Sequence, residues 1–227
     1  MENNEIRAKL FALQDLKYKE FHSGLCPGTE SIIGVRTPRL RELSREIAKG
    51  DIDAYLQNAA EDYYEELLLK GMVIGLIKNN LTRTCRYLQG FIPKIDNWAV
   101  CDITVTGLKI TKKYQKEMLN FLKPYLGSEK EFELRFYIVM LLCYYITDDY
   151  IDMVLSVLGS VKHEGYYVKM AVAWALSVAF IKYPEKTMRL LKCNDIDDFT
   201  YNKALSKITD SYRVSGKAKA QIRKMRR

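Results

Sequence analysis

The sequence is poor in the residues that build metal sites and bound-cofactor sites. It has two histidines, His22 and His163, which lie far apart, and its five cysteines form no Cys-x-x-Cys pair. Zinc ligands usually come at short spacings, so no metal is expected. The glycine-containing stretch from Gly24 to Gly34 lacks the Lys-Ser/Thr ending of a phosphate loop. We therefore expect no cofactor, and we expect cysteines that stay reduced, as in the cytoplasm.

Long apolar runs are also missing. The longest one, from Phe136 to Ile146, has 11 residues, whereas a helix needs about 20 to cross a bilayer. The amino terminus has neither the basic start nor the apolar stretch of a signal peptide. Neither secretion nor membrane insertion is expected, and we predict a cytoplasmic protein that acts as a monomer.

The positive charge is concentrated near one end of the chain. The formal net charge is +8, and the segment at 213–227 holds seven basic residues and no acidic one, which leaves +1 on residues 1–212. A basic chain favours anionic polymers over cationic surfaces. The segment is therefore either a phosphate contact or a solvated helical end that aids solubility.

One pattern recurs at almost constant intervals. Five apolar segments open at Tyr63, Asn97, Phe132, Tyr166 and Tyr201, at spacings of 34, 35, 34 and 35 residues. Such a period is typical of stacked helical repeats, which offer a long concave surface to a partner. The sequence predicts an all-α fold, an α-solenoid, in one domain over residues 1–227 with a basic C-terminal segment at 213–227.

The first part of the chain predicts two helices and a loop. Residues 4–22 carry apolar side chains at helical spacing, which favours one helix. Gly24 to Gly34 then breaks the pattern and predicts a long loop. Thr37 and Pro38 form a helix start signal, with a helix that ends near Gly50.

Asp102 stands out because it is a carboxylate in an otherwise apolar run of a predicted helix. Burying it without a partner would be costly. Trp98 lies four residues earlier, hence on the same helix face, and a ring beside an anion can hold a cationic ligand. The residues alone leave open that Trp98 packs between repeats and that Asp102 is a structural salt-bridge partner.

A second tryptophan, Trp174, lies in a run rich in alanine. Counted from the segment starts, Trp98, Asp102 and Trp174 have offsets of 1, 5 and 8, which keep to one helix face. If the repeats stack in register, the three side chains point to the same side. Arg135, at offset 3, lies roughly opposite, so either the register is shifted by one or two residues or Arg135 faces elsewhere.

Four segments together carry a family resemblance. They are Asn-Trp-Ala-Val-Cys-Asp (97–102), Phe-Glu-Leu-Arg-Phe (132–136), Tyr-Tyr-Val-Lys-Met-Ala-Val-Ala-Trp-Ala-Leu (166–176) and Thr-Tyr-Asn-Lys-Ala-Leu-Ser-Lys-Ile (200–208). In this order and spacing they resemble DNA alkylation repair proteins of the AlkD type, which are built from HEAT-like helical repeats. The resemblance covers most of the chain.

The resemblance implies a DNA glycosylase of base excision repair, a hydrolase that releases purines alkylated at N3 or N7 from double-stranded DNA. The functional Trp, Asp, Arg and second Trp of the family match Trp98, Asp102, Arg135 and Trp174. Asp102 would stabilise the cationic sugar and orient a water, the two indoles would hold sugar and base by face contacts, and Arg135 would grip a phosphate. Further DNA contacts are expected from five cations: Lys169, Lys203, Arg213, Lys217 and Lys219.

In one position the chain departs from the family pattern. Well-characterised members of the family have two consecutive tryptophans before the aspartate, whereas this chain has Asn97 followed by Trp98. One aromatic contact is then absent. The alternative function is a non-catalytic repeat protein that binds DNA or a protein partner through its concave face.

Overall fold

Capping residues mark many of the helix starts in the structure, a computed structural model that describes residues 1–227. Six caps have a side-chain oxygen that accepts a hydrogen bond from a backbone N–H of the first turn: Asp15, Asp51, Asn80, Asn97, Asp197 and Ser215. These bonds satisfy donors that a helix leaves open. The chain contains fourteen α-helices and no strand, so the all-α prediction is confirmed.

The helices divide between two compact units, Met1–Phe121 and Leu122–Arg227. Unit 1 contains seven complete α-helices: α1 (Asn3–Ala12), α2 (Leu16–Leu25), α3 (Thr37–Ile47), α4 (Ile52–Asn58), α5 (Tyr64–Gly75), α6 (Leu81–Phe91) and α7 (Trp98–Gly107). Helix α8 (Gln115–Leu122) ends at the boundary. Two short 3₁₀ helices, Ile92–Lys94 and Lys109–Lys112, follow α6 and α7.

Unit 2 begins with a 3₁₀ helix, Lys123–Gly127. Six α-helices follow: α9 (Glu131–Tyr144), α10 (Ile151–Ser160), α11 (Tyr166–Lys182), α12 (Pro184–Lys192), α13 (Asp198–Asp210) and α14 (Gly216–Arg223). Residues 134–142 of α9 are all buried. A helix that is apolar on every side lies inside a packed layer.

Alternate helices pack on one another within each unit. In unit 1, α5 contacts α3 and α7, and in unit 2, α11 contacts α9 and α13. The five predicted segments coincide with the starts of α5, α7, α9, α11 and α13, within three residues of each first helical residue. This ladder of helix pairs confirms the predicted helical-repeat class. That the whole chain is one domain stays a prediction.

The prediction of one helix over residues 4–22 is wrong. The chain forms α1 and α2 there because Asp15 caps a new helix, accepting a hydrogen bond from the Tyr18 N–H at 3.0 Å. The Asp15 N–H donates to the Gly34 carbonyl at 2.9 Å, which fixes the break. The apolar spacing was misleading because Leu13 and Leu16 are 38% and 68% exposed and belong to no core.

The loop between α2 and α3 is held by a buried carboxylate of α5. Glu65, which is 0% exposed, accepts hydrogen bonds from the backbone N–H groups of Ile33, Gly34 and Val35 at 2.8, 2.7 and 3.1 Å. Gly34 has φ +102°, and an added Cβ would lie 2.6 Å from the Lys19 Cβ. The loop therefore packs against α2 only with glycine at this position.

Candidate functional site

Helix α7 begins with the two residues that the sequence singled out most sharply. Its cap, Asn97, is buried and accepts a hydrogen bond from the Val100 N–H at 2.9 Å, while its amide donates to Asp96 at 2.7 Å. Asn97 thus has a local structural role that an indole, which has no acceptor, does not supply. Trp98 is the first residue of the helix that this cap starts.

Trp98 is half-buried and tied to the end of α2. Its indole N–H donates to the carbonyl of Leu25 at 2.9 Å. Leu25 is the last residue of α2, where a helix leaves carbonyls without an internal partner. Because an indole has a single donor, any further contact of Trp98 must use its ring.

Asp102 lies one turn beyond Trp98 on α7 and is also half-buried. The residues on the opposite side of α7 are fully buried, among them Ala99, Val100 and Cys101. The face of α7 that carries Trp98 and Asp102 is therefore the one that reaches the surface. A carboxylate there can face a cation without the full cost of burial.

Arg135 occupies a different environment, in the interior of unit 2. It is 5% exposed, and its Nη1 donates to the carbonyl of Tyr167 at 2.7 Å. The guanidinium carbon also lies 5.9 Å from the centre of the Tyr167 ring. The structure thus places Arg135 between α9 and the start of α11, and its phosphate contact stays a prediction.

Trp174, in α11, is half-buried, with buried alanines on either side at 173 and 175. Counted from the helix caps, Trp98 is the first residue after Asn97, Asp102 and Arg135 are each the fifth after their caps, and Trp174 is the ninth after Gly165. Residues one, five and nine keep to one face of a helix. The register conflict for Arg135 came from counting α9 from Phe132, whereas its cap is Lys130.

The five predicted DNA-contacting cations all lie in unit 2. Lys169 is partly buried and paired with Glu164 at 2.8 Å, and this hydrogen bond raises the pKa of its ammonium. Lys203 is exposed, with its Nζ 5.7 Å from the centre of the Phe199 ring. Arg213 and Lys217 are exposed, and Lys219 is partly exposed. Their DNA contacts stay predictions.

The basic segment at 213–227 contains a helix and packs on the rest of unit 2. It forms α14, capped by Ser215, and Ile222 is fully buried. Arg227 stacks on the Tyr201 ring at 4.1 Å and donates to the Ile196 carbonyl at 3.1 Å. Part of the positive charge of this segment is therefore used within unit 2.

Sequence reasoning missed the basic side chains of unit 1. Arg41 and Arg45 of α3 and Lys109 after α7 line one groove with Ser44 and Thr106. More than sixty residues separate Lys109 from the two arginines, so no local pattern joins them. Only the i, i+4 spacing of the arginines was visible in the sequence.

No group of three or more His, Cys, Asp or Glu side chains is arranged to hold a metal ion. None of the helices combines the length and the apolar character that spanning a membrane requires.

Comparison with known families gives one match. A family model described as DNA alkylation repair enzyme matches residues 6–208. A search of curated proteins found no match.

Proposed function

Since the chain belongs to the DNA alkylation repair enzyme family, we propose that it is a DNA glycosylase that excises positively charged N3- or N7-alkylated purines. The observation that carries this is the surface of α7, where a half-buried indole and a half-buried carboxylate lie one turn apart. Family membership supports a role in DNA repair, and this pair suits a cationic nucleotide.

The chemistry needs a carboxylate more than a proton donor. An alkylated purine carries a positive charge, so when the bond from C1′ to the purine nitrogen breaks, its electron pair neutralises the leaving base. Cationic charge then develops on the sugar, where the Asp102 carboxylate stabilises it. Water adds to C1′ and loses a proton, and Asp102 orients that water. Ordinary glycosidases need a general acid for this departure.

The indoles contribute by their faces. The N–H of Trp98 is already bonded to Leu25, so its ring is the part that contacts the deoxyribose or the charged base. Trp174 is assigned the same kind of contact from unit 2. A cation over an indole face gains about 0.5–2 kcal/mol, which favours the alkylated base over the neutral one.

Arg135 is proposed to contact a backbone phosphate. This role competes with the hydrogen bond from its Nη1 to the Tyr167 carbonyl. An arginine fork has five N–H donors, so one guanidinium can serve two acceptors. Removal of Arg135 is expected to affect folding as well as DNA affinity.

Base release tests the proposal directly. Duplex DNA with one 7-methylguanine is incubated with excess protein, and free base and abasic sites are measured. Asp102→Asn is expected to lower the release rate by about 10²–10³-fold, because a preorganised charge is lost in the transition state, while DNA affinity changes less than about threefold.

The matched control is Asp210→Asn, which changes an exposed carboxylate at the end of α13 and should leave release unaltered. Absence of release by the unmodified protein would reject the glycosylase assignment. Equal loss of binding and release in Asp102→Asn would make Asp102 a structural residue instead.

A non-catalytic DNA-binding or protein-binding role is the second candidate. The observation that favours it is Asn97, a buried helix cap where the family pattern has an aromatic residue. This candidate predicts DNA binding that depends on salt but is the same for alkylated and undamaged duplexes.

A further inference from the structure

A groove whose charged residues are all cationic lies in unit 1. It has a volume of about 420 Å³ and is formed by α3, α5, α7 and the 3₁₀ helix after α7. Arg41, Arg45 and Lys109 line it, and no carboxylate does. Its floor is narrow because α5 and α7 approach at Gly75 and Gly107, where an added Cβ on Gly75 would lie 3.0 Å from the Gly107 backbone.

The carboxylates of α3 do not neutralise these cations. Glu42 pairs with Arg39 at 2.8 Å, and Glu46 pairs with Lys9 of α1. Arg41, Arg45 and Lys109 form no ion pair within the chain. The groove is thus lined by three exposed cationic residues that have no ion-pair partner in the protein.

Folding stability does not account for this arrangement. Arg45 lies in the last turn of α3, where a cation offsets the helix dipole, but Arg41 lies one turn earlier. Like charges at positions i and i+4 destabilise a helix. A ligand with negative charge at more than one point would offset that cost.

The cationic surface continues beyond the groove. A neighbouring depression of about 560 Å³ shares Arg45 and Leu76 with it and adds Lys49, Lys78 and Arg83, again without a carboxylate in its lining. Of these, Arg83 is bonded to Asp53 at 2.9 Å. The ligand is therefore extended rather than a single small anion.

The groove also continues the face of α7 that carries the proposed catalytic pair. Trp98, Asp102 and Thr106 follow one another on α7 at intervals of four residues, which keep to one side of a helix. Thr106 lines the groove, and Lys109 begins the 3₁₀ helix directly after α7.

We propose that this groove binds the phosphate backbone of duplex DNA. Arg41 and Arg45 suit two-pronged contacts to phosphate oxygens, and Lys109 acts as a point charge. That the bound phosphates flank the nucleotide at Trp98 and Asp102 rests on the proposed function. The backbone contact itself does not, because it needs no lesion.

The test compares two triple variants of equal charge. Arg41→Gln/Arg45→Gln/Lys109→Gln removes the groove cations, and Lys17→Gln/Lys113→Gln/Lys116→Gln removes three exposed lysines of the same unit outside it. Affinity for an undamaged, fluorescently labelled duplex is measured by anisotropy between about 50 and 200 mM salt.

The groove variant is expected to lose at least about tenfold in affinity at the lowest salt, and its slope of log K against log salt should fall by about 2 to 3. The control should lower the slope by less than about 1. Equal losses in both variants would reduce the effect to net charge, and unchanged binding in the groove variant would reject the site.

Two features of the experiment separate a wrong proposal from an unfolded variant and from a wrong proposed function. Circular dichroism melting checks the fold. If the groove triple melts early, Arg41→Lys/Arg45→Lys should keep the slope and Lys109→Gln alone should lower it by about 1; the reverse result overturns the site. Because the duplex is undamaged, the binding result tests the groove independently of whether the protein releases a base.

Discussion

Trp98 and Asp102 of unit 1 are half-exposed, and the cations of its groove have no carboxylate partner, whereas in unit 2 Arg135 is buried and bonded to Tyr167. Lys169 and Arg227 of unit 2 are likewise engaged with groups of their own unit. Similar residue types thus differ in what they can offer a ligand. The comparison teaches that a cation bonded within its own unit, such as Arg135 or Lys169, contributes to folding. The groove cations of unit 1 form no ion pair within the chain, so they can meet an anionic ligand.

The strongest test of this comparison is Arg135→Ala. Loss of the buried side chain removes the side-chain hydrogen bond to the Tyr167 carbonyl and opens a cavity, which should lower the free energy of unfolding by about 2–3 kcal/mol. Urea denaturation measures this. Lys203→Ala, an exposed cation of the same unit, should change stability by less than about 0.5 kcal/mol. A stability equal to that of the unmodified protein would show that Arg135 is not structural.

Glu65→Gln tests whether the buried Glu65 carboxylate of unit 1 stabilises the loop between α2 and α3. Glutamine has the same shape, but an NH₂ group replaces one of the two carboxylate oxygens that together accept three backbone N–H groups. The loss of that acceptor should lower the free energy of unfolding by about 2 kcal/mol. The measurement is again urea unfolding, with Glu117→Gln as the exposed control. Equal stability of the two variants would contradict the anchoring role.

Trp98→Phe separates the ring of Trp98 from its tether. The variant loses one hydrogen bond to Leu25, worth about 1 kcal/mol, but keeps an aromatic face, so base release should stay within about tenfold. Trp98→Ala should lower release by a further tenfold or more, because stacking on a ring contributes about 1–3 kcal/mol. If Phe and Ala variants release base at the same rate, the ring face has no role.

The smallest effect is expected from the exposed cations of the C-terminal segment. Arg213→Gln/Lys217→Gln/Lys219→Gln should weaken binding to undamaged duplex by less than about threefold. Arg213 and Lys217 are exposed, Lys219 is partly exposed, and none of the three lines the groove of Arg41, Arg45 and Lys109. Fluorescence anisotropy compares the DNA affinity of this variant with that of the Arg41/Arg45/Lys109 triple variant. A loss as large as that of the groove triple would reverse our ranking of the two basic regions.

Much of the fold followed from periodicity. The spacing of segments from Tyr63 to Tyr201 located the starts of five packed helices, because each repeat must place the same apolar face against its neighbours. The break between α1 and α2 was missed, since Leu13 and Leu16 keep helical spacing while a single capping carboxylate, Asp15, decides where the second helix begins.

The candidate site was predicted only in part. Trp98 and Asp102 were singled out because a carboxylate in an apolar helix is unusual, and their functional roles stay predictions. The bond from Trp98 to Leu25 could not be predicted because it joins residues 73 positions apart. The offset of Arg135 was misjudged by two residues because the aromatic start of its segment is not the helix cap.

By itself, the sequence determined that this chain forms helical repeats, that α7 carries an indole and a carboxylate on one face, and that its last segment is basic, because composition and helical period are local properties. Only the tertiary structure decided which cations line a common groove and which are bonded to groups of their own unit. Arg41 and Lys109 line one groove although they are far apart in sequence, and Arg227 lies over the Tyr201 ring. Both arrangements depend on how the helices pack rather than on the order of residues along the chain.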